Sequence, residues 1–368
     1  MVGMHVPSPQ RRLSLFSAVR GHRMVAAGLA VVAVAAVASG CGSSDSANPD
    51  VPTVTPATAA PAPPGSAVSP VGTVVPTPAD GRDLAVDDDV VVVLDAAGTT
   101  VRSYGSSTLA APPRLITTPP LTRIIGTGGG TFLGAGPNVI VRIARDGVVT
   151  SSQVSVDDPT ALARTDSGQV LVGTGNGHVM VFDSALEPVR DIGGFVRVDD
   201  ITVSPPGADL PGEQVVVLDR AQSSVTQLNV SDGDLGLSLR AGNGATNSVV
   251  DRYGRILVTN TRDDEFIGFF GSPLVMRFRY PVANGPFAVD YDDTRNLAWV
   301  STTANNEVVA YDLSGGEPVE KYRFPTVAQP DNIAVDEATG RLLVLSARGG
   351  LEAVAPGDAA EGGTPAGG

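Results

Sequence analysis

Carboxylates, amides and a few arginines, rather than histidines or cysteines, carry the chemistry open to this 368-residue chain. Of its three histidines, His5 and His22 lie in the first forty residues, so His178 stands alone beyond them, and Cys41 is the one cysteine. Metal centres and acid–base catalysis gather several such groups. His178 therefore reads either as a lone general base or as a plain histidine beside a rim loop. The run Asp290-Tyr-Asp292-Asp-Thr294-Arg-Asn296 alternates oxygen ligands as calcium loops do, but it lacks the central glycine and the distal glutamate. Turn chemistry alone favours the same residue types there. The glycines of Gly126-Thr-Gly-Gly-Gly130 make a hairpin turn rather than a phosphate loop, and no nucleophile elbow is present. Nothing in this inventory calls for a metal or a cofactor.

What could bring scattered polar residues together is a repeat. The phrase Asn332-Ile-Ala-Val-Asp336, followed by a turn and the apolar run Arg341-Leu-Leu-Val-Leu345, occurs in seven versions. The others are Pro286-Phe-Ala-Val-Asp290, Asn247-Ser-Val-Val-Asp251, Asp200-Ile-Thr-Val-Ser204, Thr160-Ala-Leu-Ala-Arg164, Thr122-Arg-Ile-Ile-Gly126 and Asp83-Leu-Ala-Val-Asp87. From the last unit back to the first, the fourth residues are spaced by 46, 39, 47, 40, 38 and 39 positions. A period near forty with several short strands per unit is the pattern of a propeller blade. The expectation is an all-β chain whose residues 69–356 form a seven-bladed β-propeller. High glycine (43) and proline (29) content with 5% aromatics agrees with a turn-rich β fold. The last unit runs out after its third strand, Leu351 to Ala355. Val71-Gly-Thr-Val-Val75 precedes the first unit as an outer strand should, so it is expected to complete the last blade and close the ring.

In such a ring, loops from fourth to first strand and from second to third strand share one face around the channel mouth. They place Asp200, Asn247, Arg262, Asn306, Asp331 and Arg348 on a common rim, with Asp83, Asp158, Asp199 and Asn332 nearby. A mostly acidic mouth with a few arginines suits a polar or cationic ligand. The same residues also satisfy backbone groups where first strands begin.

The N-terminus reads as an export signal over residues 1–40. Arg11, Arg12, Arg20 and Arg23 precede an uncharged, small and apolar stretch from Met24, which ends in Ala38-Ser-Gly-Cys41. Residues 41–68, rich in proline, threonine and alanine, read as a disordered tether, with Thr53, Thr55 and Thr58 open to O-linked sugar. Residues 357–368 read as a disordered tail. Loss of residues 1–40, with four arginines and no acid, takes the formal charge from −14 to −18. That balance excludes nucleic acid as a partner and electrostatic adhesion to anionic lipid.

The segment Ala38-Ser-Gly-Cys41 resembles the bacterial lipoprotein cleavage box, which implies a lipidated Cys41 as the mature N-terminus; Ala38 stands where leucine is commonest. Trp299-Val-Ser-Thr-Thr-Ala-Asn-Asn-Glu-Val308 with Gln329-Pro-Asp-Asn-Ile-Ala-Val335 resembles YVTN and NHL propeller repeats. The chain as a whole is similar to the propeller-type lipoproteins of actinobacteria. That resemblance implies a membrane-anchored domain on the extracytoplasmic face. The function expected is non-catalytic binding or scaffolding toward an envelope protein or cell-wall glycan, and the alternative is a lactonase- or lyase-type enzyme at the channel mouth.

Overall fold

The computed structural model describes residues 51–63, 69–78 and 81–362. The signal segment, Cys41 and the end of the tail lie outside them.

Among the described residues, seven four-stranded antiparallel sheets form the blades of a β-propeller. Their innermost strands are Gly81–Asp87, Arg123–Gly126, Pro159–Arg164, Asp200–Val203, Ala245–Val250, Pro286–Asp292 and Pro330–Asp336. The second strand of each blade is almost wholly buried, as in Val90–Asp95 and Val215–Asp219. Both faces of such a strand lie under neighbouring blades, which is why the sequence there runs apolar instead of alternating. Each of the seven gaps between blades holds its own hydrophobic cluster. In the gap between blades six and seven, Trp299 packs with Phe324, Val344 and Val354.

Blade seven is closed by the N-terminal strand Thr73–Val75, which pairs antiparallel with Leu351–Val354 through Thr73↔Ala353, Val74↔Glu352 and Val75↔Leu351. Leu84, Val91, Val93 and Tyr104 of blade one then pack against Leu343, Leu345 and Leu351 of blade seven. Among the described residues, the first and last blades are thus joined by this strand pairing and this cluster.

Three departures from the sequence reading have clear causes. In blade six the innermost strand runs to Asp292, two residues past the end of its repeat phrase. The strand is no longer than Gly81–Asp87 or Pro330–Asp336 and carries the same one-residue register shift near its start, so it is the phrase that is displaced by two residues. Asp292, not Asp290, is thus the counterpart of Asp87, Asp251 and Asp336. It is fully buried, and its Oδ1 accepts the Arg295 N–H at 2.7 Å. The calcium-like spacing is therefore spent on the turn and on an ion pair between Asp292 and Arg295 at 2.6 Å. Second, Pro356–Gly362 is a short α-helix where no structure was expected. Proline at its start and Asp358 in its first turn favour initiation, and Ala359 (3% exposed) joins the Trp299 cluster. Third, residues 51–63 do not behave as a free tether. They lie on the ring, as described next.

Candidate functional site

Asp200 begins the innermost strand of blade four. Its Oδ1 accepts the Ile201 N–H (2.9 Å) and its Oδ2 accepts the Ser248 hydroxyl (2.8 Å) from blade five. Asn247 performs the next clasp, donating from Nδ2 to the Phe287 carbonyl of blade six at 2.9 Å. Asp83 and Asp290 do the same for their neighbours, accepting Ile124 N–H (2.9 Å) and Val335 N–H (2.7 Å). First strands of adjacent blades are too splayed for a continuous ladder, so side chains supply the bonds that backbone groups inside the ring need. Part of the polar rim is thus structural.

Asn306 is buried (3% exposed), and its Oδ1 accepts the Gln329 N–H at 2.7 Å. It orients the loop entering blade seven and does not itself offer a surface. Asp331 is half-buried, with Oδ1 lacking a hydrogen-bond partner. Arg348 is exposed on the second-to-third-strand loop of blade seven.

Arg262 is exposed, and its guanidinium is bonded to two carbonyls. Nη1 donates to Asn243 O, and Nη2 donates to Thr55 O at 2.6 Å. Thr55 belongs to the extended segment 51–63, which crosses the mouth over loops of blades four to seven. The Val54 N–H donates to Ala221 O at 2.7 Å. Arg220 Nη2 donates to Ala57 O. Gln329 Nε2 donates to Ala60 O at 2.8 Å, while its Oε1 accepts the Ala62 N–H at 3.4 Å. Ala57 and Ala62 are buried, and Thr53, Thr55 and Thr58 point outward. Gly285 is required beneath this segment: its φ is +66°, and a Cβ there would meet Ala60 Cβ at 2.7 Å.

Sequence reasoning did not single out Arg220 or Gln329. Arg220 sits in a second-to-third-strand loop like Arg262 and Asn306, and Gln329 in the fourth-to-first-strand loop of blade seven, so loop position, rather than a preference for acidic residues, would have found them. Asp199 fixes the Arg220 loop by accepting its N–H at 2.9 Å and pairs with Arg197 at 2.8 Å.

His178 pairs through Nδ1 with Asp191 Oδ1 at 2.6 Å. Asp191 lies on the outermost strand of blade three, so this pair sits at the flank. Open grooves also run between blades. One of about 450 Å³ separates blades two and three beside Phe132, Arg142 and Arg164. Another of about 380 Å³ lies between blades five and six, beside Tyr253, Arg255 and Tyr291. Cation–π contacts from Arg252 and Arg255 already cover the Tyr253 ring.

Burial inside the ring pushes the Asp290 carboxyl up to about 7 against the opposing N–H bonds of Val335 and Tyr291, with Glu337 and Asp293 adding to the rise. Burial likewise lifts Asp331 to about 6, opposed by its own N–H and the Asn332 side chain. Asp83 and Asp200 are raised for the same reason, and the positive charge of Arg123 opposes both shifts. A carboxyl raised in the folded state binds protons that the unfolded chain has already lost. Its contribution to stability is full below the ordinary carboxylate range and is lost as pH rises through the folded value. The urea midpoint should therefore fall between about pH 4 and pH 7, on account of Asp290. An Asp290→Asn variant should show a flatter slope over that window, whatever its absolute stability. An unchanged slope would show that Asp290 titrates normally.

No protein-family model and no curated protein matches the chain. Its backbone superposes on a chain of Kuenenia stuttgartiensis hydrazine synthase with a TM-score of 0.63 at 12% identity, covering 77% of this chain and 98% of that one. Selenomethionine-substituted virginiamycin B lyase from Staphylococcus aureus matches with a TM-score of 0.60 at 10% identity, covering 76% and 98%. A streptogramin B lyase structure gives 0.61 at 12% identity, covering 77% and 97%. The likeness is one of fold. The chain is a seven-bladed β-propeller, and at such identities the neighbours' chemistry does not transfer with the architecture.

Proposed function

We propose that the protein is a non-catalytic binding or scaffold propeller of the YVTN and NHL kind. It is held on the outer face of the cell membrane by acyl chains on Cys41, and its channel mouth contacts an envelope protein or a cell-wall glycan. One observation carries this reading: donors on separate blades (Arg220, Arg262 and Gln329) converge on a single extended chain lying across the mouth. A face that holds a polymer through directional bonds from several loops has the build of a binding surface.

A second reading, a lactonase- or lyase-type enzyme, is favoured by the carboxyls of Asp290 and Asp331, which sit near neutral as a general base requires. It also has propeller lyases among its structural neighbours. Asp331→Asn separates the two readings, since it would abolish a base-catalysed elimination, whereas a binding face spread over several loops should lose only the share of one rim contact.

The test of the first reading places a photo-crosslinking residue at Arg348 on the mouth and, separately, at Ala338 on the opposite face, in intact cells. The mouth position should capture an envelope component and the other should not. Reversal of both Arg262 and Arg348 to glutamate, read by co-purification from membranes in place of the crosslinker, should weaken binding of the captured component while shifting unfolding by no more than about 0.5 kcal/mol, as expected for exposed residues. Capture from Ala338 alone would put the binding face on the wrong side of the ring.

A further inference from the structure

We infer that the channel mouth is a receptor for an extended, uncharged, proline- and alanine-rich polypeptide, and that residues 51–63 are its resident, displaceable occupant. The inference rests on the mouth being the binding face and names what that face recognises.

The occupant VPTVTPATAAPAP carries no charge and has prolines at 52, 56, 61 and 63. Such a chain favours the polyproline conformation, which forms no internal hydrogen bonds and leaves its carbonyls outward. The mouth supplies what those carbonyls lack. Arg262 donates to Thr55 O, Arg220 to Ala57 O and Gln329 to Ala60 O, at intervals of two and three residues along the segment. Gln329 also receives the Ala62 N–H, and Ala221 O receives that of Val54. Asn306 and Asp199 hold the Gln329 and Arg220 loops in place, so the donors are set before the segment arrives.

Recognition at the side chains is by smallness. Ala57 and Ala62 are buried, and Ala60 rests above Gly285, where the ring offers no side chain. The threonines and most prolines face outward. What is read is a backbone with regularly spaced acceptors and methyl-sized inward positions. Any segment of that composition satisfies the same donors, whether on another envelope protein or on a second copy of this chain. The contacts are few, and the resident segment gains occupancy by being tethered, at an effective concentration on the order of millimolar. Its presence lowers the apparent affinity for a segment in trans by the fraction of time the mouth is free.

A fluorescein-labelled synthetic peptide with the sequence of residues 51–63 tests this on the full-length chain. Ala57→Lys with Ala62→Lys puts long cations into the buried positions, the first beside Arg220 and Arg262, and should eject the resident segment. By anisotropy, that variant should bind the peptide at least tenfold more tightly than the unsubstituted protein. Adding Arg262→Ala and Gln329→Ala should abolish the gain. The inference is overturned if the lysine variant, unfolding at the same midpoint as the unsubstituted protein, binds no more tightly. Binding that survives loss of Arg262 and Gln329 also overturns it. Should the lysines unfold the ring, hydrogen exchange at the Val54 amide of the unsubstituted protein decides instead. Excess free peptide accelerates that exchange if the segment is displaced, and an unchanged rate refutes displacement. A peptide that binds while the position-348 crosslinker finds no partner leaves this inference standing and removes the proposed cellular role. A crosslinked partner, glycan or protein, that the peptide does not compete away does the reverse.

Discussion

Truncation of the propeller at residue 78 should lower its unfolding free energy by several kcal/mol, whereas deletion of residues 42–64 should cost on the order of 1 kcal/mol. The longer deletion removes Thr73–Val75 from its ladder with Leu351–Val354 and strips Val71 and Val75 from the clusters on either side of blade seven. Half-buried valines contribute about 1 kcal/mol each, and each lost bond to a buried group about as much again. It also takes away the Gly72 N–H, bonded at 2.7 Å to Glu352 Oε1, and the Thr77 hydroxyl that accepts the Gly350 N–H at 2.9 Å. Glu352 is the fully buried carboxylate of the closing blade, and it further accepts the Val327 N–H at 3.0 Å and the Thr326 hydroxyl. The shorter deletion removes the mouth segment, whose few bonds run to loops that remain solvated when it leaves. Glu352→Ala should reproduce most of the larger loss without shortening the chain, because three buried donors are orphaned together. Urea denaturation of the three variants decides the matter. Equal stability of the two truncations would mean that the ring is not held shut by its N-terminal strand.

The architecture was legible because a propeller writes itself into the sequence several times over. Seven variants of one phrase made the period visible even where single versions, such as Thr122-Arg-Ile-Ile-Gly126, are poor. Closure was legible for a related reason: a final blade without a fourth strand is an exposed edge, and Val71 to Val75 was the apolar run placed to cover it. Blade six differs by two residues because Pro286-Phe-Ala-Val-Asp290 imitates Asn332-Ile-Ala-Val-Asp336, while the residues that take that place in the strand are Ala288-Val-Asp-Tyr-Asp292. That slip hid the difference between Asp292, which closes a turn, and Asp290, which joins two blades. The candidate site was only half legible. Loop class gathers the rim candidates, yet Asp200 and Asn247 are spent on neighbouring blades, and Asn306 on Gln329. Residues 51–63 have neither charge nor apolar period, so composition marked them as spacer. Their docking depends on Arg220, Arg262 and Gln329, far along the chain, and no local pattern announces such partners.

Replacing Cys41 with alanine should block lipidation and processing, so that no protein of the mature size enters the detergent phase, an all-or-none change and the largest expected of any single substitution. Beyond residue 40 the formal net charge is −18 by the count above, so an anionic membrane surface repels the chain. Among the described residues no helix is long and apolar enough to cross a bilayer. Acyl chains on Cys41 would then anchor the mature chain at about 0.8 kcal/mol per buried methylene, and two chains suffice for stable attachment. Detergent-phase partitioning with mass determination of the mature N-terminus gives the readout. A Cys41→Ala protein that still enters the detergent phase at the mature size would rule out lipidation as the anchor. Nine residues lie between Cys41 and Val51, so the chain joining them spans at most about 35 Å. With the mouth segment docked, a ring anchored at Cys41 would have that face within this reach of the bilayer. With it released, the free chain up to Thr73 is about three times as long, so displacement of the segment would change the reach of the domain as well as the occupancy of its mouth.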